Sequence, residues 1–262
     1  MNFAKKSLGQ NFLIDKNIIK KIINISKIKK RHIIEIGPGK GALTNEILNA
    51  NPESLSIIEK DNQLTEKLKK QYYLKKNVKI YSADILKFDL EKVIKKNSII
   101  FGNLPYNISS QILVKILKFS KWPPRFTDLI FMFQKELGEK ILGKFSTTNY
   151  GRLSILSNYR LYCVKKFEIS PNCFFPKPKV VSQLIHFRPK KINDYKIKNL
   201  GNLEKITNIF FSNKRKMINK NIKKLFTKNE IEEIESLKLN FRPSEVSPNL
   251  YYKITELYER DK

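Results

Sequence analysis

The sequence predicts an α/β fold: a doubly wound, mostly parallel sheet with an antiparallel edge, followed by a small helical domain. Short apolar runs typical of strands alternate with helical segments over residues 16–133. Strand patterns then stop after Pro189, and the rest of the chain is helical in pattern. A chain of 262 residues has room for one large and one small domain. We expect these domains at residues 1–188 and 189–262.

Each predicted element of the first half is bounded by turn-forming residues. Helical patterns cover 16–30, 42–48, 61–74 and 109–119, and strand patterns cover 32–36, 55–58, 78–81, 98–101 and 128–133. Later, a helix at 152–159 precedes two strands at 162–169 and 180–187, separated by a proline-rich loop. Two such late strands are typical of an antiparallel edge on a parallel sheet. Residues 190–201 are polar and indicate a linker to the helical segment that starts near Leu203.

The charge of the chain favours a polyanionic partner. It has 52 Lys+Arg against 24 Asp+Glu, a net charge of +28. Nucleic acid is the preferred partner over a membrane, although a Lys-, Asn- and Ile-rich composition typical of AT-rich codons explains part of the excess. No apolar run approaches the ~20 residues of a membrane span, and the first residues lack a signal-peptide pattern. We therefore expect a cytoplasmic protein that does not bind membranes.

The two cysteines indicate neither a metal site nor a structural disulfide. Cys163 and Cys173 form no metal-ligand pattern, so we expect no metal. Their spacing would allow a disulfide, but a cytoplasmic location argues against one.

Three groups at predicted strand ends indicate a nucleoside-containing cofactor. Gly37, Gly39 and Gly41 join a strand to a helix, where backbone N–H groups lie open to a ligand, although a tight turn would explain them equally well. Glu59 ends the next strand, about 20 residues on, where a carboxylate can accept hydrogen bonds from ribose hydroxyls. Asp84 ends the third strand, where it can accept from an adenine amine. Ligands bind at this edge of open α/β sheets.

The glycine spacing chooses between two cofactors. A nicotinamide dehydrogenase requires Gly-x-Gly-x-x-Gly, and here the third glycine comes one residue too early. S-adenosylmethionine fits better because it has adenine and ribose but no pyrophosphate.

The segment Asn103-Leu104-Pro105-Tyr106 predicts a clamp for an aromatic amine. The Asn103 side-chain oxygen and the Leu104 carbonyl are hydrogen-bond acceptors, and Pro105 restricts Leu104 to extended conformations. Tyr106 offers a flat face on which a base can stack. Beside a methyl donor, such a clamp suits N-methylation of adenine, in which positioning supplies much of the rate.

The chain resembles the ribosomal RNA adenine N6,N6-dimethyltransferases over nearly its whole length. The resemblance lies in the motifs at 6–13, 35–44, 58–61, 102–109, 134–136, 150–154 and 174–182. It implies a Rossmann-like class I methyltransferase sheet. It also implies contacts between S-adenosylmethionine and a set of residues, namely Asn11, Leu13, Gly37, Glu59, Asp84 and Asn103. Tyr106 and Phe174 would enclose the adenine, which must leave its stack to react. Spacing alone would leave Asn11 a surface residue and Phe174 a core residue.

Two branches of the family remain as alternatives, with a third, non-catalytic role. One branch modifies two adjacent adenosines near the 3′ end of small-subunit (16S) rRNA within a pre-30S particle. The other modifies a large-subunit (23S) adenosine and confers macrolide resistance. The ending at 241–248 resembles the Arg-Pro-x-x-Leu-Ser-Pro signature of the first branch, with Val246 in place of leucine. A monomeric enzyme of that branch is our expectation, and an assembly factor that does not need turnover is the third reading.

Basic residues of the carboxyl-terminal segment are expected to bind RNA. The motif at 213–217 resembles a basic helix of the small-subunit branch. The candidates are Lys214, Arg215, Lys216, Lys220, Lys223 and Lys224, with Lys5 and Lys6 near the amino terminus. A solvated charged face is the alternative for any single lysine.

Overall fold

A computed structural model describes residues 9–191 and 194–260 of the chain. Its main sheet has seven strands, and a separate two-stranded sheet joins two short segments. The strands are β1 (Phe12–Leu13), β2 (His32–Ile36), β3 (Ser54–Glu59), β4 (Val78–Ser82), β5 (Ser98–Asn103), β6 (Phe126–Gln134), β7 (Leu161–Ile169), β8 (Phe174–Phe175) and β9 (Ser182–Pro189).

The main sheet is doubly wound, as the sequence predicts. Its strand order is β4-β3-β2-β5-β6-β9-β7. The pairs from β4 through β6 are parallel, whereas β9 runs antiparallel to β6. From β2 the chain first adds strands on one side, through β3 to β4, and then crosses to β5 on the other. The carboxyl ends of β2 and β5 therefore flank the topological switch point, where open sheets bind ligands.

The helices agree with the predicted pattern, with several differences at their ends. They are α1 (Lys16–Ile23), α2 (Ala42–Asn49), α3 (Asn62–Gln71), α4 (Ser109–Leu117), α5 (Lys135–Ile141), α6 (Arg152–Arg160), α7 (Leu200–Phe211), α8 (Asn219–Ile222), α9 (Lys228–Glu232) and α10 (Pro248–Arg260). No helix of these residues is long and apolar enough to cross a membrane.

Three local expectations were wrong. The helix predicted over 16–30 ends at Ile23, because the chain turns back to bury Ile28 and passes through a left-handed conformation at Lys30, with φ 58°. Helix α5 was not predicted, because its seven residues directly continue β6 without turn residues between them. The basic segment 213–217 is not a helix but a turn between α7 and α8.

The described residues divide into two compact units. The first contains residues up to 115, 123–138 and 162–189, and the second contains 116–122, 139–161 and those from 190 onward. Tyrosine hydroxyls stabilise the second unit: Tyr150 donates to the Val246 carbonyl at 2.8 Å and Tyr251 donates to the Pro243 carbonyl at 2.9 Å. The Arg-Pro-x-x-Val-Ser-Pro segment is thus tied into the interior of this unit.

A buried polar network stabilises the first unit between β6 and β9. Asp128 accepts hydrogen bonds from His186 Nε2 at 2.7 Å, Arg188 Nε at 2.9 Å and the Thr127 hydroxyl at 2.6 Å. Burial opposes ionisation of the Asp128 carboxyl, but these hydrogen bonds outweigh it and hold its pKa well below the usual range. The network therefore favours a charged Asp128 in the folded protein.

Asp128→Asn is expected to lower the free energy of unfolding by about 3 kcal/mol at pH 7, because it leaves buried donors with a weakened partner. The folded pKa of Asp128 is lowered, so its stabilisation is present above the unfolded pKa of about 3.9 and lost as the pH falls below it. Urea unfolding at pH 7 and pH 3 measures this, and the difference from wild type should narrow at pH 3. The control is Asp89→Asn, which removes an exposed ion pair with Lys92 and should leave stability unchanged. An equal deficit at both pH values would contradict the role of the charge.

Candidate active site

An open cleft lies at the carboxyl-terminal ends of four parallel strands. The space between its walls, counted out into open solvent, is about 890 Å³. Residues after β2, β3, β4 and β5 line it together with the segment at 9–12 that leads into β1. The sheet topology thus brings together groups that are separated by up to about a hundred residues along the chain.

The glycine loop after β2 forms the floor of the cleft. Gly37 and Gly39 both have left-handed backbones, with φ 69° and 58°. A Cβ on Gly37 would lie 3.3 Å from the Asn103 carbonyl oxygen, and one on Gly39 would lie 2.7 Å from the Phe12 ring. The glycines therefore allow the loop to approach both the end of β5 and the aromatic ring of β1.

Glu59 connects the glycine loop to the end of β3. Its carboxylate accepts the Gly39 N–H at 3.3 Å and the Asp61 N–H at 2.9 Å. Burial raises the pKa of Glu59, and these N–H groups act in the opposite direction. The carboxylate has lone pairs remaining, so it can accept further hydrogen bonds from hydroxyl groups in the cleft.

Asp84 follows β4 and is held by charge and by the backbone. Lys60 Nζ donates to its Oδ2 at 2.8 Å and the Leu86 N–H donates to its Oδ1 at 2.9 Å. The hydrogen bond from Lys60 lowers the pKa of Asp84. Asp84 is therefore an ionised acceptor at the cleft edge.

Lys115 of α4 holds the loop that carries Asp84. Its ammonium group donates to the carbonyls of Ile85 at 2.9 Å, Leu86 at 2.9 Å and Phe88 at 2.6 Å. A lysine has three donors, and all three are used here. Desolvation lowers the pKa of Lys115. This role could not be predicted from the sequence, because Lys115 occupies an ordinary polar position of an amphipathic helix.

Asn103 is the last residue of β5, paired with Met132 of β6. Its Nδ2 donates to the Asn11 carbonyl at 3.0 Å, so its Oδ1 remains as the acceptor. Strand β5 extends two residues beyond the predicted end, and Asn103 is therefore fixed by the sheet and not by a loop. The amide therefore offers an oxygen, and not a nitrogen, to a further hydrogen-bonding partner.

Tyr106 and Pro105 complete the segment before α4. The Tyr106 hydroxyl is hydrogen-bonded to the Ser182 hydroxyl. Burial raises the pKa of Tyr106. Ser109 Oγ donates to the Tyr106 carbonyl at 3.1 Å at the start of the helix. The ring is thus tethered at its hydroxyl end and at its backbone.

The cleft brings together most of the residues that the sequence singled out. Those that line it are Asn11, Gly37, Gly39, Glu59, Asp84, Asn103, Leu104, Pro105 and Tyr106. Leu13 and Phe174 are not among its lining residues: they are buried, 4% and 3% exposed, in the hydrophobic core. They are opposite each other in the β1–β8 pair.

The basic candidates lie in the second unit and are exposed. They are Lys214, Arg215, Lys216, Lys220, Lys223 and Lys224. Lys5 and Lys6, like the start of the 6–13 motif, lie outside the described residues. Both cysteines are free thiols, with Cys163 exposed and Cys173 buried.

A buried carboxyl beneath the glycine loop was not singled out from the sequence. Glu35 of β2 is 1% exposed, and Thr44 donates to its Oε2 at 2.6 Å. Burial raises the pKa of Glu35 to about 7. An acidic residue among strand isoleucines was the available signal.

Comparison with known proteins supplies the family. The protein-family model described as ribosomal RNA adenine dimethylase matches residues 1–260. The chain belongs to the ribosomal RNA adenine dimethylase family. The ribosomal RNA small subunit methyltransferase A of Pelagibacter ubique is 44% identical over 260 residues, which cover 98% of this chain and 97% of that protein. Its counterpart in Malacoplasma penetrans is 40% identical over 257 residues, which cover 96% and 91%.

Solved structures confirm the Rossmann-like fold of this dimethylase. A dimethyladenosine transferase from Plasmodium falciparum superposes with a TM-score of 0.74 at 26% identity, covering 93% of this chain and 95% of that one. The 23S rRNA methyltransferase ErmE shares the fold, with a TM-score of 0.64 at 22% identity over 96% and 100% of the two chains.

Membership of the family confirms the predicted activity class and cofactor. The protein is an S-adenosylmethionine-dependent rRNA adenine dimethyltransferase. The chemistry of the cleft fits this cofactor: the two glycines let the loop pack closely against Asn103 and Phe12, and the carboxylates of Glu59 and Asp84 line the cleft. When bound, the cofactor supplies an electrophilic methyl group.

Gly39→Ala is expected to weaken cofactor binding at least tenfold, because a Cβ would meet the Phe12 ring at 2.7 Å on a left-handed backbone. Isothermal titration with S-adenosylhomocysteine measures the dissociation constant. Gly151→Ala is the matched control, since its φ of 173° suits any residue and its Cβ would have 3.8 Å to the nearest atom. Unchanged binding by Gly39→Ala would contradict a role for the loop in holding the cofactor.

Proposed function

We propose that this dimethylase methylates N6 of two adjacent adenosines near the 3′ end of small-subunit rRNA. It would act as a monomer on a pre-30S particle in the cytoplasm. The observation that carries the proposal is the Asn103 amide, fixed by Asn11 with its oxygen as acceptor, in the same cleft as Glu59 and Asp84. The choice of the small subunit is supported by relatives at 40 to 44% identity that are named ribosomal RNA small subunit methyltransferase A.

The clamp would act on the nitrogen that receives the methyl group. The lone pair of adenine N6 is delocalised into the ring, which makes it a poor nucleophile. Asn103 Oδ1 and the Leu104 carbonyl would accept its two N–H groups and favour a pyramidal nitrogen with a localised lone pair. Pro105 keeps Leu104 extended, which directs the carbonyl. The N6 lone pair would then form its bond to the methyl carbon as the bond from that carbon to sulfur breaks, S-adenosylhomocysteine would leave, and an N6 proton would pass to water; alignment of these atoms would supply much of the rate.

Tyr106 would hold the adenine by stacking. Its tether to Ser182 limits the positions of the ring. Stacking on an immobilised aromatic ring costs little conformational entropy, which supports this assignment. The assignment of Phe174 to the other face of the base stays a prediction from the family resemblance.

The cofactor would lie along the strand ends. Glu59 would accept the ribose hydroxyls, Asp84 the adenine amine, and the Gly37–Gly39 loop would pass under the methionine portion. Asn11, Leu13 and Asn103 are the remaining contacts that the family resemblance implies. Leu13 could contribute only through its backbone or after a shift, because its side chain is buried.

Residues 189–262 would form the domain that grips RNA. Their exposed lysines and arginine supply charge that can neutralise phosphates. The alternative, a large-subunit methyltransferase, draws no support from any contact in the cleft, because the same clamp would serve either RNA.

Small and large ribosomal subunits that lack the adenosine methylation, each incubated separately with the protein and labelled S-adenosylmethionine, test the proposed function. We expect two dimethyladenosines near the 3′ end, located by mapping the product nucleotides. Methylation of large-subunit RNA only would overturn the proposal. Full support of subunit assembly by an inactive variant would add a role as an assembly factor.

Asn103→Ala is expected to reduce turnover at least about 100-fold, because it removes an acceptor positioned for the reacting amine. Single-turnover methyl transfer to small subunits measures the rate, and circular dichroism confirms folding. Asn77→Ala is the control: this exposed asparagine precedes β4, at the end of the sheet away from the cleft, and should keep full activity. Turnover by Asn103→Ala near the wild-type rate would exclude the clamp.

Lys220→Gln combined with Lys223→Gln should make RNA binding less dependent on salt. Each lost phosphate contact reduces the slope of log K against log salt by about 0.7–0.9. Filter binding of small subunits from 50 to 300 mM KCl measures the slope. The control is Lys69→Gln with Lys92→Gln, which removes the same charge from the first unit and should leave the slope unaltered. Equal slopes for the wild type and both double variants would disprove RNA binding by Lys220 and Lys223.

A further inference from the structure

The short β1–β8 sheet has one face in the core and one towards the cleft. In an antiparallel pair, directly opposite residues point to the same face, and successive residues alternate. Leu13 and Phe174 are opposite each other and both lie in the hydrophobic core. The other opposite pair is Phe12 and Phe175. Phe12 lines the cleft, and Phe175 opposite it has its side chain on the same face of the β1–β8 pair.

Phe175 presents an aromatic ring to solvent at this position. It is 63% exposed, whereas Phe174 beside it is 3% exposed. Ile14 extends the pairing by one residue, donating its N–H to the Cys173 carbonyl at 2.8 Å, and is 55% exposed. An isolated exposed apolar residue is ordinary, but an aromatic ring beside a substrate cleft is not explained by folding.

The charges around this ring fit a nucleic acid. Lys177 and Lys179 follow Phe175 and are exposed, and Lys40 Nζ lies 4.9 Å from the centre of the Phe12 ring. Aromatic rings flanked by cations are typical of surfaces that bind unpaired bases, because the ring stacks on a base and the cations hold its phosphates. A protein partner would not require this positive charge.

We propose that Phe175 stacks on an unpaired base of the RNA strand next to the adenosine in the cleft. Stacking there would hold the strand in register while the reactive base lies against Tyr106. The inference rests on the proposed function, since it assumes that rRNA is the ligand. It adds a binding contact for the flanking nucleotide and a role for Phe175 distinct from that of its buried neighbour Phe174.

Steady-state methylation of unmethylated small subunits tests the energetic part. Phe175→Ala should raise KM about 5- to 100-fold, as expected for loss of one base stack, with kcat within about twofold and cofactor affinity unchanged. Phe175→Trp should retain the wild-type KM, whereas Phe175→Leu should behave like alanine because it lacks a flat face. Tyr73→Ala, which removes another exposed aromatic ring (77%) before β4, is the matched control. A wild-type KM for Phe175→Ala would overturn the inference.

Photo-crosslinking identifies the nucleotide. With benzoylphenylalanine at position 175, irradiation on small subunits should join the protein to a nucleotide within two positions of the methylated adenosines, mapped by primer-extension stops. The two target adenosines are adjacent to each other, so a crosslink to one of them agrees with the flanking contact, whereas crosslinks to distant RNA or to protein alone would each refute it. If the wild-type protein dimethylates the subunits and Phe175→Ala has the same KM, this inference fails and the proposed function stands. If the wild-type protein does not dimethylate the subunits, the proposed function itself fails.

Discussion

The cleft depends on how closely the glycine loop approaches the end of β5. Strands β2 and β5 are neighbours in the sheet but are separated by more than sixty residues along the chain. At their ends, a single Cβ on Gly37 would stand 3.3 Å from the Asn103 carbonyl. Any larger side chain would separate the glycine loop from the segment that begins at Asn103, which under the proposed function would hold the methyl donor and the acceptor. Methyl transfer requires the methyl carbon and the acceptor nitrogen to come within bonding distance. The absence of a side chain at Gly37 therefore allows the approach that the proposed reaction needs.

The carboxylates around the cleft occur in contrasting environments. Glu35 lies buried under the loop with a raised pKa, Glu59 is buried but satisfied by backbone N–H groups, and Asp84 is ionised beside Lys60. A neutral or weakly charged interior beneath the loop avoids repelling the Glu59 carboxylate above it. The carboxylate that is held ionised, Asp84, lies at the cleft edge, where polar groups of a nucleoside can reach it.

The central sheet and most of the cleft could be predicted because their signals are local. The isoleucine-rich run at 32–36 and the glycine spacing after it need no tertiary context, and the strand matches the predicted bounds. Features created by distant contacts were not accessible. Lys115 gains its role from three carbonyls about thirty residues away, and the two-residue strands β1 and β8 are too short for any period to appear. The turn at 213–217 has helix-forming lysines, but the residue after it, Ile218, is buried and donates its N–H to the distant Phe241 carbonyl at 2.8 Å.

The helix that follows the clamp has a mechanical consequence. Its first residue, Ser109, holds the backbone of Tyr106, and one and a half turns later Lys115 holds the loop of Asp84. Helix α4 is therefore hydrogen-bonded at its first residue to the segment that contains Tyr106, and further along to the loop that follows Asp84. Thermal displacement of the helix carries both segments in the same direction, so their relative position varies less than the position of either. Under the proposed function, the two reactants would therefore stay aligned even when the residues around the cleft move.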